Sequence, residues 1–351
     1  MILLDLFSGY GGFHKGLCDA GFAFEKVYYS EIDKHAIANY RYNYEEAKYI
    51  GAVEHVIESG IKRPDIIAFG SPCQDFSIAG RRNGLAGERS CLVKHALSTI
   101  SYFRPDVYIW ENVKGCFSSS SGADFWAIIQ AFANIGGYRF QWQLLNTSWF
   151  LPQNRERIFL VGCLANKCCG QIFPIEENVQ LYSTKNEANK RWTQAKNCTT
   201  IKQTFGNKAD DTFIISYTRG KNGEVENYHK KDKANTVKGH IGNTSQYIIT
   251  EPNGKHGGKE RNYTDIAPSI TQRYGTGGDN IPYVNNIRRM TEIECERLQG
   301  LPDDWTKYGN YDGTIREISS TQRYKMLGNG VTVKVVEEIG KSILKHTQLT
   351  K

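Results

Sequence analysis

Apolar residues in the first 165 or so positions fall in short runs that are separated by polar, helix-length stretches. The runs lie at 2–7, 24–30, 66–69, 107–110 and 158–161. Each run has the length of a buried strand, and a helix is predicted to begin near Asp33 after the second. Alternating strands and helices over this length predict an α/β fold with a mostly parallel sheet and helices on both faces.

Residues capable of chemistry follow four of these runs. Gly9–Gly12 comes after the first, Glu31 after the second, Cys73 after the third and Glu111 after the fourth. In such sheets ligands bind beyond the carboxyl ends of the strands. We therefore expect these residues to converge on one cleft.

The middle of the chain has a different pattern, rich in Asn, Lys, Thr, Gly and Tyr. Three similar segments begin there at Thr200, Thr236 and Ser269, at intervals of 36 and 33 residues. They indicate either a repeated strand–turn unit in a small β-rich domain or chance similarity in a region of biased composition.

The last 60 or so residues return to the α/β pattern. A helix is predicted at Glu292–Gln299, ended by Gly300, and a terminal helix at Val331–Leu344 has an apolar face that could pack on the first domain. The middle segment would then be an insertion. The predicted division is a first catalytic part at 1–165, an inserted domain at 175–287, and a C-terminal part at 288–351 that completes the first.

The net charge of +7 changes this picture once it is mapped. Residues 165–290 hold 19 Lys/Arg and 12 Asp/Glu, whereas the rest of the chain holds 25 of each. A solvated basic surface would explain the total alone. Its confinement to one segment favours a face that binds a polyanion, without distinguishing DNA from RNA.

Composition excludes several classes of protein. No run approaches about 20 apolar residues, so no membrane span is expected, and Asp5 interrupts the apolar start that a signal peptide needs. Nine irregularly spaced cysteines favour reduced thiols and a cytoplasmic location. Because Cys163, Cys168 and Cys169 lack paired metal-ligand spacing, no metal site is predicted.

The glycine turn and Glu31 suggest a cofactor. Glycines let backbone amides approach a polar ligand, although any doubly wound fold has such turns. Glu31 lies 19 residues after Gly12, where an acid can bind ribose hydroxyls. Together they favour a cofactor that contains adenosine.

Cys73, Glu111 and two arginines are candidates for catalysis. Pro72 and Gln74 flank Cys73, which argues for a nucleophile in a cleft rather than a core thiol. Glu111 could stay protonated as a proton donor or form an ion pair with an arginine. Arg155 and Arg157 would share one face of an extended chain, or simply be exposed.

These residues belong to six segments that resemble the motifs of the DNA (cytosine-5) methyltransferase family. The segments are Asp5–Phe13, Gly70–Ser77 with Pro-Cys-Gln, Glu111–Val113, Gln153–Arg157 with Gln-x-Arg-x-Arg, Arg288 with 294–302, and Gly328–Val331. They occur in family order and span nearly the whole chain. The resemblance implies a Rossmann-like S-adenosylmethionine-dependent methyltransferase domain with a β-rich target recognition domain in the basic middle segment.

The resemblance also implies the role of each residue. Cys73 would add to C6 of a cytosine flipped out of double-stranded DNA, Glu111 would act on N3, and Arg157 with Arg155 would hold O2. The residues implied for the cofactor are Phe7 and Ile32 around the adenine, Leu92 nearby, Glu31 on the ribose, Gly9, Gly11 and Gly12 in the turn, and Asn329 near the amino acid end. The residues implied for DNA are Gln74, Ser77, Arg273 and Arg288. A monomer is expected, with a possible cognate restriction endonuclease.

Three positions depart from the family pattern. Ala52 stands where an Asp usually binds the adenine amino group, Ser8 replaces a usual Ala, and Gly330 replaces a usual Ser. Rival hypotheses are an RNA cytosine-5 methyltransferase on the same scaffold, a DNA-binding regulator without catalysis, and a nicotinamide oxidoreductase. The last would not explain the Pro-Cys-Gln or Glu-Asn-Val segments.

Overall fold

A computed structural model describes most of the first and last thirds of the chain and parts of the middle. The described residues are 1–71, 90–117, 123–176, 217–219, 225–228, 248–251, 261–264, 267, 269–271, 283–284 and 288–349. Four predicted site residues, Cys73, Gln74, Ser77 and Arg273, lie outside them, as do the similar segments that begin at Thr200 and Thr236.

A seven-stranded sheet forms the centre of the described structure, in the order β3-β2-β1-β4-β5-β7-β6. Its strands are β1 Ile2–Leu6, β2 Lys26–Ser30, β3 Lys48–Tyr49, β4 Ile66–Gly70, β5 Val107–Val113, β6 Tyr138–Asn146 and β7 Glu156–Leu164. The first five pair in parallel, whereas β7 runs antiparallel to both β5 and β6. The predicted mostly parallel α/β sheet is confirmed.

Helices precede, follow and connect the strands. They are α1 Gly12–Ala20, α2 Lys34–Asn43, α3 Ser90–Phe103, α4 Ala123–Asn134, α5 Glu292–Leu298, α6 Ser320–Asn329 and α7 Val333–His346. The predicted start near Asp33 is confirmed, because the Asp33 side chain caps α2 by accepting hydrogen bonds from the backbone N–H groups of His35 and Ala36. No helix among the described residues is long and apolar enough to cross a membrane.

Two buried apolar clusters lie on the two faces of the sheet. Leu4 and Ile67 belong to one cluster, and their neighbours Leu3 and Ile66 belong to the other. Successive side chains of a strand point to opposite faces, so a strand buried on both faces needs a continuous apolar run. That requirement explains why the pattern of apolar residues predicts these strands.

Two differences between the predicted and the observed strands bear on the site and on the sheet edge. β5 extends through Glu111 to Val113, so Glu111 lies inside the strand rather than after it. β6 was not predicted, because this edge strand is only partly buried and carries alternating polar residues such as Gln141 and Gln143.

The C-terminal helix packs on the N-terminal one, as the apolar face of its sequence indicates. A Cβ atom at Gly16 of α1 would lie 2.6 Å from Cβ of Val336, and one at Gly340 of α7 would lie 2.7 Å from Cβ of Ala20. These glycines let the two helices approach closely.

The chain divides into two compact units. The first contains 1–177, 269–276 and 292–351, and the second contains 178–268 and 277–291. The described strands of the second unit are β8 Tyr217–Arg219, β9 Val225–Tyr228, β10 Ile248–Glu251, β11 Arg261–Thr264, β12 Tyr283–Val284 and β13 Arg288–Arg289. β8 pairs with β9, and the other four form an antiparallel sheet in the order β11-β10-β12-β13.

Candidate active site

The turn between β1 and α1 is held in an unusual backbone conformation. Phe7 has a φ of 53° and Gly9 a φ of 54°, in the left-handed region that residues other than glycine rarely adopt. The N–H of Gly9 donates to Oε2 of Glu31 at 2.9 Å. A non-glycine residue in this conformation at a strand end often marks a ligand site.

Glu31 joins two loops through backbone amides. Its Oε1 accepts hydrogen bonds from the N–H groups of Ile32 at 2.7 Å and Asp33 at 3.0 Å, in addition to the bond from Gly9. The hydroxyl of Tyr49 donates to the Glu31 carbonyl at 3.0 Å. The carboxylate is therefore fixed where the loops after β1 and β2 meet, as the sequence predicted for the two segments.

The three predicted cofactor glycines differ in what surrounds them. A Cβ atom at Gly9 would meet nothing within 4 Å, so this glycine faces open space. A Cβ atom at Gly11 would lie 2.6 Å from the ring of Tyr44, and one at Gly12 would lie 2.8 Å from Val331. Gly9 thus leaves room for a ligand, whereas Gly11 and Gly12 are needed for packing.

Apolar side chains border the same turn. Ile32 is 78% exposed, which is high for an isoleucine. Phe7 and Leu92 are partly buried and pack against the same core cluster. An exposed aliphatic side chain next to Glu31 and a half-buried aromatic ring are suited to contact the faces of a planar heterocycle.

Glu111 and Arg157 form an ion pair across neighbouring strands. Nε of Arg157 lies 3.0 Å from Oε1 of Glu111. The antiparallel register pairs Glu111 with Phe159, so Arg157, two residues away, lies diagonally on the same face. A Cβ atom at Gly70 would lie 3.0 Å from Oε2 of Glu111, which places the pair beside the end of β4. Of the two sequence hypotheses for Glu111, the ion pair is the one seen here.

Ser71 is held at the start of the segment that contains Cys73. Its Oγ accepts hydrogen bonds from Nε1 of Trp110 at 3.0 Å and from Nδ2 of Asn112 at 3.2 Å. Both donors come from β5, so the strand that carries Glu111 also fixes the residue two positions before Cys73.

A family match covers nearly the whole chain, including the sheet, the glycine turn bound by Glu31 and the Glu111–Arg157 pair. The sequence pattern of the C-5 cytosine-specific DNA methylases matches residues 1–345. The chain belongs to this family. It is a DNA (cytosine-5) methyltransferase, as the six motifs predicted, and DNA is its substrate.

Relatives of this methyltransferase include enzymes named as type II and as orphan methyltransferases. Type II methyltransferase M.Bsp6I of Bacillus sp. (strain RFL6) is 30% identical over 98% of each chain. Orphan methyltransferase M.SPRI of Bacillus phage SPR is 26% identical over 99% of this chain and 98% of its own. A solved structure described as a prophage-encoded DNA modification methyltransferase of E. coli has a TM-score of 0.60 at 18% identity, covering 99% of both chains, and supports the fold.

The structure separates the two arginines that the sequence placed together. Arg157 lies on the face of β7 beside Glu111, whereas Arg155 is only 2% exposed. The guanidinium of Arg155 donates to the carbonyls of Gly330 at 2.8 Å and Ile270 at 2.9 Å. Asn329, between the two glycines of the last motif, is exposed.

Lys325 and Tyr311 support the loop after β2, and sequence reasoning missed both. Nζ of Lys325 lies 2.6 Å from Oδ2 of Asp33, and the hydroxyl of Tyr311 lies 2.6 Å from Nδ1 of His35. Burial alone would raise the pKa of Asp33, but hydrogen bonds from Lys325 and two backbone amides hold it below its usual value. The partners lie almost 300 positions apart, so no local pattern reveals them.

Three buried polar side chains, one each from β1, α1 and α2, lie in contact with one another. The hydroxyl of Tyr40 donates to Oδ2 of Asp5 at 3.3 Å and lies 3.1 Å from Nδ1 of His14. Burial raises the pKa of Asp5 well above its usual range and lowers the pKa of His14 to about 4. In both groups burial disfavours the charged form.

Two groups of predicted residues remain predictions. Cys73, Gln74, Ser77 and Arg273 lie outside the described residues, and Arg288 lies in β13.

Within the described ranges, no three His, Cys, Asp or Glu side chains are placed to hold a metal ion.

Proposed function

We propose that this enzyme methylates C5 of a cytosine that is flipped out of a specific double-stranded DNA sequence, using S-adenosylmethionine as methyl donor and Cys73 as nucleophile. The observation that carries the proposal is the Glu111–Arg157 pair at 3.0 Å, next to the strand end that leads to Cys73, in a chain of this family. Flipping is required because stacking in the duplex buries the reacting carbon atoms of the base.

The residues around the first turn fit the donor. Open space in front of Gly9, the exposed Ile32 and the half-buried Phe7 suit an adenosine, with Glu31 next to its ribose. The buried hydroxyl of Ser8 has no hydrogen-bond partner among the described residues and could serve a polar ligand atom. When bound, S-adenosylmethionine supplies an electrophilic methyl group on a sulfonium.

The residues on the base side would make C5 of the cytosine a nucleophile. The thiolate of Cys73 forms a bond to C6, and the electron pair of the C5–C6 double bond becomes available at C5. Glu111, once it has taken up a proton, donates a hydrogen bond or that proton to N3, and Arg157 binds O2, so the charge that develops in the ring is stabilised. After methyl transfer, loss of the C5 proton and breakage of the S–C6 bond restore the double bond and release the thiolate.

The ion pair is compatible with base binding. A guanidinium carries five N–H donors, so contact with Glu111 through Nε leaves Arg157 further capacity for the base. Its Nη1 donates to the carbonyl of Glu156 at 2.8 Å, which fixes the orientation of the side chain. Glu111 is 8% exposed, so a hydrogen bond that it makes to a base is little weakened by water.

We assign recognition of the target sequence to the basic middle segment, 175–287, with Arg273 and Arg288 among the DNA contacts. Its excess of Lys and Arg would bind phosphates, and individual side chains would read base edges. We further propose that the enzyme acts as a monomer. A partner endonuclease fits the type II relatives, and a solitary role fits the orphan phage relative.

The experiment is methyl transfer by the purified enzyme to duplex DNA and to tRNA, followed by long-read mapping of 5-methylcytosine in DNA from cells that express the chain. We expect one short methylated sequence in DNA and negligible transfer to tRNA. Transfer to tRNA but not to duplex DNA would overturn the proposal in favour of the RNA hypothesis. Methylation of cytosines without sequence preference would overturn the assignment of a recognition segment.

A further inference from the structure

The last turn of α6 and the short loop that follows it, residues 327–331, are held by side chains that bind their backbone carbonyls. The carbonyl of Leu327 accepts from the side-chain amide of Gln299, and the carbonyl of Val331 accepts from the hydroxyl of Tyr10 at 2.6 Å. The carbonyls of Gly328 and Gly330 accept from Arg155.

Residues 327–331 therefore point four of their carbonyls inward, whereas one side chain among them faces outward. Asn329 is exposed, whereas Leu327 and Gly328 are buried. A Cβ atom at Gly330 would lie 2.5 Å from Cζ of the Tyr10 ring, so the departure from the usual Ser leaves room for that ring. The position of Asn329 depends on these inward contacts rather than on contacts of its own.

Arg155 also binds a second, distant piece of chain. Its Nη1 donates to the carbonyl of Ile270 at 2.9 Å and lies 3.4 Å from Oγ of Ser269. Residues 269–276 belong to the first unit, although the chain on both sides of them belongs to the second. One guanidinium thus joins the start of β7, the C-terminal end of α6 at 328–330 and this returning segment.

The geometry points to Arg155 as a positioning residue that sets the C-terminal end of α6 at 328–330, and with it Asn329, for S-adenosylmethionine, rather than as a group that contacts the cytosine. This inference rests on the proposed function and on the role that the family resemblance implies for Asn329, near the amino acid end of the donor. The guanidinium is buried and faces carbonyl oxygens of three residues, so it is committed to the protein backbone.

A buried guanidinium of this kind cannot be replaced by an ammonium. The planar fork of an arginine reaches two separate carbonyls at once, whereas a lysine offers a single point of attachment. Removing the guanidinium leaves the buried carbonyls without donors. Residues 328–330 would then move to reach other partners or water.

The test compares Arg155→Lys and Arg155→Ala with Arg157→Lys as the matched arginine variant. Binding of S-adenosylmethionine without DNA is measured by calorimetry, and kcat and KM are measured with duplex DNA. We expect both Arg155 variants to weaken binding of S-adenosylmethionine at least tenfold, while kcat at saturation falls less than tenfold. We expect Arg157→Lys to lower kcat by 100-fold or more, with binding of S-adenosylmethionine within threefold of the parent.

Guanidinium ion provides a second readout. Added at millimolar concentration, it should restore donor binding to Arg155→Ala and leave Arg157→Lys unchanged. If Arg155→Ala does not fold, the charge-conserving Arg155→Lys variant still allows the comparison. Thermal melting shows whether each variant is folded.

Two results would overturn the inference. One is a fall in kcat of Arg155→Lys to the level of Arg157→Lys with unchanged donor binding, which would place Arg155 on the base. The other is a lower melting temperature with unchanged binding and kinetics, which would leave Arg155 a role in stability alone. If the parent chain itself does not bind S-adenosylmethionine, it is the proposed function that fails.

Discussion

The proposed cofactor side and the proposed base side of this site are built in different ways. On the cofactor side, the carboxylate of Glu31 is bound by the backbone amides of Gly9, Ile32 and Asp33. On the base side, Glu111 meets the side chain of Arg157. One side is a frame of backbone loops, and the other is a pair of side chains on adjacent strands.

The difference separates the kinds of damage that a substitution can do. A backbone frame depends on whatever fixes the loops, including remote residues such as Lys325, so its failure should appear as weaker binding of the donor. In the proposed mechanism the side-chain pair acts on the base during the reaction, so its failure should appear in kcat. Amide variants of the two glutamates test this contrast directly.

Glu111→Gln should have the largest effect of the variants that separate the two sides. The amide cannot supply a proton to N3, and a general acid contributes about 10²–10⁴-fold to a rate. We expect kcat to fall by at least about 100-fold at saturating substrates, with binding of S-adenosylmethionine unchanged. Single-turnover methylation measures the fall, and Glu156→Gln, at a neighbouring half-buried acid paired with Lys114, is the control. A loss below tenfold would remove Glu111 from the chemistry.

Glu31→Gln should have the opposite signature. The carboxylate accepts three backbone N–H groups through two oxygens, whereas the amide keeps only one of these oxygens. Its NH₂ group is a donor and would face the backbone N–H groups that the lost oxygen accepted. Hydrogen bonds to a charged group contribute about 1.5–3 kcal/mol, so binding of S-adenosylmethionine should weaken roughly 10- to 100-fold. Calorimetry measures the change, with Glu25→Gln as the exposed control. A lower kcat with unchanged binding would contradict the division into two sides.

Ala52→Asp should have the smallest effect. If the adenine amino group lacks a carboxylate partner, the new acid should tighten binding of S-adenosylmethionine by at most about 1–3 kcal/mol. Ala52→Asn, of the same shape without the charge, is the control in the same calorimetric assay. Unchanged or weaker binding would mean that another group already serves the adenine edge.

The sequence predicted the parts of the fold that local patterns encode. The apolar runs identified β1, β2, β4, β5 and β7, and the capping position of Asp33 identified the start of α2. It did not predict β3, which has two residues, or β6, a half-buried edge strand whose polar and apolar residues share one run.

The features of the site that could not be predicted from the sequence depend on contacts between residues that lie far apart in the chain. Arg155 and Arg157 look equivalent in the sequence, but the acceptors of Arg155 lie 115 and 175 positions away. The Glu111–Arg157 pair depends on the antiparallel register of β5 and β7, which the prediction of a mostly parallel sheet did not contain. The motif resemblance indicated both residues without distinguishing their environments.

The most direct test of the account is covalent trapping on duplex DNA that carries 5-fluorocytosine at the target position. Fluorine replaces the proton that must leave C5, so after methyl transfer the S–C6 bond cannot break by elimination. With S-adenosylmethionine present, the account predicts a denaturation-resistant complex of the parent enzyme. It predicts no such complex with Cys73→Ser, whose hydroxyl is a far poorer nucleophile. Equal trapping of the two proteins, or methylation of ordinary DNA by Cys73→Ser within about tenfold of the parent rate, would contradict Cys73 as the nucleophile.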